Sequence, residues 1–458
     1  MSQSAQRSPL QPAAIESLRA RLRGRLLAPD DENYNSARQL FNAMIEKRPA
    51  WIVRCEGASD VIHSLNFARE HGLELAVRSG GHSVAGKSSC DGGLVLDLSP
   101  MRAVRVDPAR RTALAQPGAT LGDFDREAHT FGLATTLGTV SRTGIAGLTL
   151  GGGIGWLNGK YGLACDNLLS VDVVTADGSM ISASASENED LFWAVRGGSG
   201  NFGVVTSFLY QLHPVHTVLA GMVVHPISRA KDMLRFYDEF ARSVPDEATL
   251  AAALLTAPDG NPIAAIVGCH CGAIEEGERV FRPLRSFGPP VADTFGPMPY
   301  VDVQRLLDNA FLPGFHHYWK AGFVRSLSEE AAETAVEYFL RKPSPATVLV
   351  IQQLHGAAAR VPVDATAFAH RKPQHDFEIL SMWSDPSDSE KNIQWTRDFY
   401  GGMERFLEKG VYVNGLGEEG GDRVRAAYGE NYSRLREVKR KYDPSNFFHH
   451  NHNIDPAS

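Results

Sequence analysis

A six-residue motif at 78–83, Arg-Ser-Gly-Gly-His-Ser, carries the residue types with the clearest chemical potential in this sequence. It follows an apolar run at 73–77, which predicts a short strand ending at the motif. Two adjacent glycines allow backbone N–H groups to approach a diphosphate, and Arg78 adds a cation beside them. His82 suits three roles, namely a catalytic group, a metal ligand or a point of cofactor attachment, and the remaining glycine-rich segments favour the last.

Two further glycine clusters lie at 143–155 and 196–205. Neither matches the GxGxxG dinucleotide-binding pattern, which lies between a first strand and a helix and is followed by an acidic residue. A single cluster is equally typical of a tight turn in a sheet. Three such loops between Gly80 and Gly203 instead indicate a long cofactor enclosed by backbone.

Length and composition limit the classes to which the protein can belong. The chain has 458 residues, which predicts two or three domains, and its formal net charge of −7 argues against a nucleic-acid partner. We find no segment typical of a secretory signal or a membrane span, so we expect a cytoplasmic protein without membrane association. The five cysteines do not suggest a disulfide framework. The Cys269-His270-Cys271 triplet lacks a second ligand pair, so no metal is expected there.

The apolar pattern predicts two regions of different character. Up to about residue 215, short strands alternate with turns and with helices at 59–71, capped by Ser59, and 121–131. Beyond it, helical patterns alternate with apolar runs, which predicts a second α+β unit with an antiparallel sheet. Residues before about Gln39 are expected to form a short helix and a loose arm. The other predicted strands are 93–98, 103–107, 112–116, 168–175, 264–268 and 347–354, and the other helices are 228–243, 328–341 and 422–442.

Nine segments, taken in order, carry a more specific signal than any single motif: RSGGHS at 78–83, QPGATLGDF at 116–124, TGIAGLTLGGGIG at 143–155, YGLACDNL at 161–168, GGSGNFGVVTSF at 197–208, YWKAGF at 318–323, AFAHR at 367–371, GVYVNGLGEEG at 410–420 and YDPSNFFHHNHNI at 442–454. Together they resemble the berberine-bridge-enzyme-like FAD-linked oxidases of the vanillyl-alcohol-oxidase superfamily. The resemblance implies an α+β fold whose PCMH-type FAD-binding domain, made of two α/β subdomains, comprises 1–215 and a returning segment at 421–458. A substrate-binding domain at 216–420 would carry an antiparallel sheet flanked by helices.

The resemblance also implies FAD as cofactor, with a covalent bond from His82 to the flavin 8α-methyl carbon. Such a bond withdraws electron density, raises the flavin potential and prevents dissociation; the alternative is a noncovalent histidine near the diphosphate. Many members add a cysteine bond to flavin C6. Val140 occupies that position here, so we expect a single link and a packed Cys165. The other implied FAD contacts are Arg78, Ser79, Gly80, Gly81, Ser83, Gly118, Gly138, Thr143, Gly144, Ala146, Gly147, Gly152, Gly153, Gly155, Gly200, Val205 and Asn451.

The sequence departs from the family pattern at the catalytic base. Gly415 replaces the tyrosine that removes a substrate proton in many members, and Gln352 stands where the alkaloid-cyclising member has a glutamate. An amide cannot serve as a general base. Strand alternation would place Tyr412 and Asn414 on one face, where Tyr412 either acts on the substrate or packs in the core.

Two other side chains are candidates for the site. His355 either works as a general base or is a structural histidine. Lys320 either approaches the flavin, where it would stabilise the reduced anionic form, or forms an ion pair. Three histidines near the C-terminus suggest a metal at first sight, but they lie in a segment that resembles the one folding over the flavin: His449, His450 and His452.

The resemblance implies an oxidase that transfers hydride from a small organic substrate to FAD and uses O2 as acceptor, giving H2O2. The substrate would be an alcohol, an amine or a compound with an activated C–H bond. Gly138 and Thr143 match positions where small residues accompany oxygen reactivity. A dehydrogenase with another acceptor stays open, as does an FAD-loaded binding protein without turnover, because Gly415 and Gln352 replace the familiar bases.

Overall fold

The structure, a computed structural model, describes residues 11–457. Its first sheet has the order β1-β2-β4-β3, in which β2 and β3 run parallel to β4 and β1 is antiparallel to β2. Every residue of β4 is buried, as is usual for a parallel strand covered on both faces. The elements are β1 (Arg25–Leu27), β2 (Trp51–Arg54), β3 (Leu75–Arg78) and β4 (Leu94–Asp97), with α1 (Pro12–Arg19), α2 (Tyr34–Arg38) and α3 (Ala58–Glu70).

A second, antiparallel sheet has the order β5-β6-β10-β8-β9, and β7 pairs separately with β11. Thr120 caps helix α4 and forms a reciprocal capping box with Asp123. The strands are β5 (Val104–Asp107), β6 (Thr112–Ala115), β7 (Leu133–Ala134), β8 (Leu168–Val174), β9 (Met180–Ser184), β10 (Val204–Gln211) and β11 (His213–Pro214). The helices are α4 (Leu121–His129), α5 (Ile145–Leu150), α6 (Asn158–Tyr161) and α7 (Glu189–Val195).

The third sheet is the largest and is antiparallel throughout, in the order β15-β12-β14-β13-β18-β19-β17, with β16 also paired to β12. The strands are β12 (Thr217–Pro226), β13 (Ala248–Thr256), β14 (Pro262–His270), β15 (Ala292–Asp293), β16 (Gly296–Pro299), β17 (His316–Val324), β18 (Val348–Leu354) and β19 (Gln374–Trp383). The helices are α8 (Ala230–Ala241), α9 (Ile274–Arg285), α10 (Tyr300–Val303), α11 (Glu329–Leu340), α12 (Gly356–Arg360) and α13 (Ser389–Met403). The expected antiparallel sheet with flanking helices is confirmed.

Alternation along β18 and β19 separates two faces of this sheet. Ile351, Phe377 and Ile379 pack with residues of α8, α11 and α13 in one hydrophobic core. Gln352 and Glu378 belong to the opposite face, which borders a cavity. The sheet therefore presents an apolar face to its helices and a partly polar face to the site.

The last helices, α14 (Gly421–Tyr428) and α15 (Tyr432–Tyr442), return to the first half of the chain. Tyr428 and Leu435 share a buried cluster with Phe124 and Phe208. The prediction of one continuous helix at 422–442 is wrong, because Gly429 takes a φ of +51° and ends α14.

Three other local predictions are also wrong. Ser59 lies inside α3, whose N-cap is Gly57. The described part of the arm before Gln39 is not loose, because β1 joins the first sheet and buries Leu26; residues 1–10 of the predicted arm lie outside the described residues. Tyr412 does not lie on a strand but precedes a short 3-10 turn at Val413–Gly415. Among residues 11–457, no helix is long and apolar enough to cross a bilayer.

Candidate active site

A cavity of about 350 Å³ lies between the glycine-rich loops and the partly polar face of the largest sheet. The C-terminal segment closes a third side with Phe448 and Asn451. Three separate parts of the chain therefore build one space. Its volume is typical of a small-molecule or cofactor site.

Two of the glycine-rich loops touch backbone to backbone. A Cβ added to Gly80 would lie 2.6 Å from the Gly144 nitrogen, and one added to Gly144 would lie 2.7 Å from the Gly80 nitrogen. Neither position can therefore accept a side chain unless the loops separate. This contact fixes the loop of His82 against the start of α5.

The cavity wall fits FAD. A Cβ added at Gly147 or Gly200 would meet nothing within 4 Å, so small residues leave the backbone accessible there. The buried Oδ1 of Asn451 has no hydrogen-bond partner among the described residues, while its amide nitrogen donates to the carbonyl oxygens of Gly200 (3.2 Å) and Phe448 (3.0 Å). Accessible backbone groups and a spare acceptor suit a long, polar cofactor.

Most of the FAD contacts expected from the sequence line this cavity: Ser79, Gly80, Gly81, His82, Ser83, Gly138, Thr143, Gly144, Ala146, Gly147, Gly200, Val205 and Asn451. Arg78 does not. Its guanidinium forms a buried ion pair with Asp97 (2.7 Å) and donates to the carbonyl oxygen of Ala37. The cation expected beside a diphosphate instead ties β3 to β4 and to the N-terminal segment.

Four expected glycine contacts also lie outside the lining: Gly118, Gly152, Gly153 and Gly155. They face protein atoms instead. A Cβ added to Gly152 would lie 2.8 Å from the Phe368 ring, and one added to Gly155 would lie 2.7 Å from the Leu137 carbonyl oxygen. These glycines shape the loops around the cavity without reaching it.

His82 lies at the cavity with its ring stacked on Phe41, 3.9 Å between centroids. Phe41 also stacks on His317, at 4.3 Å. Burial lowers the pKa of His82 to about 4. The imidazole is therefore neutral at physiological pH, and a neutral ring nitrogen is the form that can act as a nucleophile.

The two positions relevant to a second flavin bond differ in their surroundings. Val140 lines the cavity and packs with Phe41. Cys165 is fully buried outside the lining, beside the ion pair between Asp166 and Arg371 (2.6 Å). Burial raises the pKa of the Cys165 thiol far above its ordinary value, so it is held as an unreactive thiol.

Tyr412 and Asn414 meet at the cavity through a hydrogen bond. The Asn414 amide donates to the Tyr412 hydroxyl at 2.8 Å, and the Gly153 backbone N–H donates to the same oxygen at 2.8 Å. Burial raises the pKa of Tyr412 well above its ordinary value. The phenol therefore acts as a fixed acceptor that joins two loops, and it is poorly suited to remove a proton at neutral pH.

Two carboxyl groups that the sequence-based prediction missed lie on the cavity side of β19. Asp376 and Glu378 both line the cavity, and Asp376 is the strand neighbour of Gln352. Burial raises the pKa of Glu378 to about 7, and burial together with the Glu378 charge raises that of Asp376. Two acids spaced i, i+2 next to an apolar run, Ile379-Leu380, were the available sequence signal.

Gly415, the position where the family pattern has a tyrosine, lies next to the carboxyl group of Glu378. A Cβ added to Gly415 would lie 3.3 Å from Glu378 Oε1 and 2.9 Å from the Ala321 Cβ. A side chain at 415 would thus crowd Glu378. The glycine at this position leaves room for the glutamate.

Gln352 reaches the cavity, but two other predicted catalytic residues do not. The buried Gln352 Nε2 has no hydrogen-bond partner within the described part of the chain. Trp319 lines the cavity, and its strand neighbour Lys320 lies on the opposite face of β17. There the Lys320 ammonium pairs with Glu419 at 3.1 Å. His355 lies beside Gly159, outside the lining, and burial lowers its pKa to about 4. A structural role fits both Lys320 and His355.

Comparison with known proteins identifies what such a site holds. The FAD binding domain family matches residues 49–184, and the "Berberine and berberine like" family matches residues 411–455. An FAD-linked oxidoreductase of Dictyostelium discoideum is 35% identical over 93% of this chain and 93% of its own. The (R)-6-hydroxynicotine oxidase of Paenarthrobacter nicotinovorans is 32% identical over 95% of this chain and 97% of its own.

A solved structure agrees in fold and in sequence. The crystal structure of 6-hydroxy-D-nicotine oxidase from Arthrobacter nicotinovorans superposes with a TM-score of 0.88 at 32% identity, covering 95% of this chain and 98% of that one. The residues that line the cavity include members of both matched ranges, 49–184 and 411–455. The chain belongs to the berberine-bridge-enzyme-like FAD-linked oxidoreductases.

Proposed function

We propose that the protein is an oxidase that removes hydride from a small organic substrate, with O2 as the final acceptor. The observation that carries this proposal is the pairing, in one cavity, of a cofactor cradle with two carboxyl groups on the opposite wall, the buried Asp376 and the partly buried Glu378. FAD, when bound, would accept the hydride and return the electrons to O2, giving H2O2. A covalent bond from His82 would retain the cofactor. It would be the single link, because the Val140 side chain cannot form a second one.

Glu378 is the proposed general base. Its pKa of about 7 lets it take a proton near neutral pH, and Gly415 leaves space for it where relatives carry a tyrosine. Asp376 is more deeply buried, and burial together with the Glu378 charge raises its pKa, so it serves as a hydrogen-bond donor. The spare Gln352 amide would orient the reacting group.

The wall chemistry favours an amine as substrate. A protonated amine can donate to the carboxylate of Glu378, and loss of that proton gives the neutral amine from which hydride leaves. Trp319, Val350 and Leu380 supply an apolar surface for the rest of the molecule. An alcohol is the second candidate, since Glu378 can accept a hydroxyl proton in the same way.

A dehydrogenase is the alternative to an oxidase. Gly138 and Thr143 line the cavity, and their small size supports access of O2. Reoxidation measured by stopped flow, with O2 against a quinone acceptor, separates the two. Fast reoxidation by O2 with stoichiometric H2O2 supports the oxidase, whereas reoxidation by the quinone alone supports the dehydrogenase.

Two measurements test the proposal as a whole. Acid precipitation followed by peptide mass mapping should find the flavin on the His82 peptide alone; release of all flavin into the supernatant would overturn the covalent link. A panel of secondary amines, alcohols and sugars, followed by flavin bleaching, should show the fastest bleaching with an amine. Bleaching by none of them would favour a flavin-loaded binding protein.

A further inference from the structure

Glu74, His449 and His450 converge at the junction between the first sheet and the C-terminal segment. The Nε2 atoms of His449 and His450 lie 2.7 and 3.0 Å from the same oxygen, Glu74 Oε2. Within residues 11–457, this is the one group of three histidine, cysteine or acidic side chains whose donor atoms all lie within 4.8 Å of one another. Glu74 is far from the two histidines in the chain, which is why sequence alone did not connect them.

The hydrogen bonds of His449 leave one nitrogen facing an anion. Nδ1 lies 2.9 Å from the Asn446 carbonyl oxygen, and because a carbonyl only accepts, Nδ1 carries the proton. In the neutral ring Nε2 is then a bare lone pair, yet it faces the Glu74 carboxylate. The short contact therefore needs either a proton or a metal ion between Nε2 and the Glu74 oxygen. An Nδ1–H bonded to a backbone carbonyl is also the usual support of a histidine metal ligand.

The segment that carries the two histidines is rigidly held. Asp443 accepts hydrogen bonds from the backbone N–H groups of Phe447 (2.7 Å) and Phe448 (2.8 Å), and it pairs with the buried Lys439 at 2.7 Å. Asn446 takes a φ of +54°, which turns the chain towards Glu74. The ligand atoms are therefore arranged before any ion arrives.

We propose that Glu74, His449 and His450 bind a divalent transition-metal ion, and that Zn²⁺ is the best match. Two imidazole nitrogens and one carboxylate oxygen form a common Zn²⁺ ligand set, with bonds of about 2.0–2.2 Å. Small side-chain rotations would open the present contacts to the roughly 3.3 Å separation of ligands in a tetrahedral site. The side chains are 22 to 40% exposed, so water can supply the fourth ligand.

Such an ion would join the residue just before β3, Glu74, to the segment that closes the cavity. His450 itself lines the cavity, together with its neighbour Asn451. The ion would therefore stabilise the closed arrangement of this wall without taking part in the chemistry. This inference does not depend on the proposed function.

Zinc titration of the FAD-loaded, full-length protein tests the proposal. After treatment with a chelator and gel filtration, calorimetric titration with ZnCl2 at pH 7.5 should give one ion per chain, with a parallel rise in melting temperature. Glu74→Gln and His449→Gln should each weaken that binding at least tenfold. His216→Gln is the matched control, because it removes one ring of another close histidine pair, His129 and His216, whose centroids are 4.4 Å apart.

Each result decides the question. A wild-type protein that shows no stoichiometric site overturns the proposal, and a proton then bridges His449 and Glu74. Binding by both cluster variants at wild-type affinity also overturns it, since the ion must then lie elsewhere. Loss in the cluster variants, with binding retained in His216→Gln, supports it. Variants that melt within a few degrees of the wild type exclude misfolding as the cause of loss.

Discussion

Phe41 lies parallel to the imidazole of His82, with 3.9 Å between ring centroids and 15° between planes. The same phenyl ring stacks on His317 at 27°, so it is held between two histidines. Asn42, the next residue, anchors this arrangement by exchanging hydrogen bonds with the backbone of His317 at 3.0 Å. The N-terminal segment thus fixes the plane in which the His82 ring nitrogens lie.

We predict that Phe41→Ala slows the proposed covalent attachment of flavin to His82 by about tenfold or more, because a freely rotating His82 loses its orientation towards the reacting carbon. The measurement is the fraction of flavin that stays with acid-precipitated protein during reconstitution of the apoprotein. Phe311→Ala is the control, since Phe311 also lines the cavity but has no ring contact with His82. Attachment at the wild-type rate in Phe41→Ala would show that the stack has no such role.

Tyr412→Phe should destabilise the protein by about 1–3 kcal/mol, because Gly153 N–H and the Asn414 amide would lose a buried acceptor. Its pH–rate profile should keep its shape, since the phenol does not titrate near neutral pH. Tyr428→Phe is a suitable comparison, because Tyr428 does not line the cavity and its buried hydroxyl bonds Asn201 and His452. A loss of turnover far larger than in Tyr428→Phe would identify Tyr412 as the base instead.

Glu378→Gln should lower kcat/KM by about 100-fold or more and remove a limb of the pH profile. With a pKa raised to about 7, the carboxylate forms as pH rises through 7, so wild-type activity should increase across that range. Asp376→Asn should cost much less, because burial and the Glu378 charge raise the pKa of Asp376, and a protonated carboxyl group resembles an amide. Steady-state rates between pH 5.5 and 9 check both; equal losses in the two variants would contradict the assignment.

The same carboxyl group gives a prediction about stability. Between the ordinary pKa of 4.5 and about 7, the folded state keeps a proton on Glu378 that the unfolded chain releases, so stability falls as pH rises through this window. Glu378→Gln should therefore raise the melting temperature relative to the wild type at pH 8 and bring no such gain at pH 4. Melting curves at the two pH values measure the difference, and an equal effect at both would show that Glu378 does not titrate this way.

Val140→Cys should create a second bond to the flavin, because residue 140 lines the cavity at the position of the family's cysteine. Peptide mass mapping would then find one flavin joining the His82 and residue 140 peptides. Thr139→Cys, at a neighbouring cavity position, is the control that should stay singly linked. A singly linked Val140→Cys would mean that the alignment of this loop is displaced.

The glycine loops were predictable because their sequence constraint is local. The Gly80 and Gly144 motifs lie in the order typical of the family, and the structure brings their backbones together as close packing requires. Arg78 shows the limit of such inference: a cation beside two glycines suggests a diphosphate contact, but Asp97 lies within reach on the next strand and binds it. A distant partner of this kind cannot be seen from the local sequence.

The cavity-facing side chains of the largest sheet were harder to predict for a similar reason. Which side chains of β18 and β19 face the cavity depends on strand register, which is set by partners remote in the chain. Gln352 was found because it stands at a position known in the family, whereas Asp376 and Glu378 stand two residues apart on a strand that received no prediction. Tyr412 and Asn414 were rightly paired but for the wrong reason, since a 3-10 turn and not a strand brings them together.

The returning C-terminal segment has a consequence for how the protein is made. Phe448, His450, Asn451 and His452 close the cavity, and α14 and α15 complete the core around the second sheet. A ribosome delivers these residues after every other wall of the cavity has emerged. A nascent chain can therefore offer its glycine loops to FAD but cannot seal the cofactor in until residues 448–452 have emerged, so the loss of this short segment would leave an open flavin site on an otherwise formed fold.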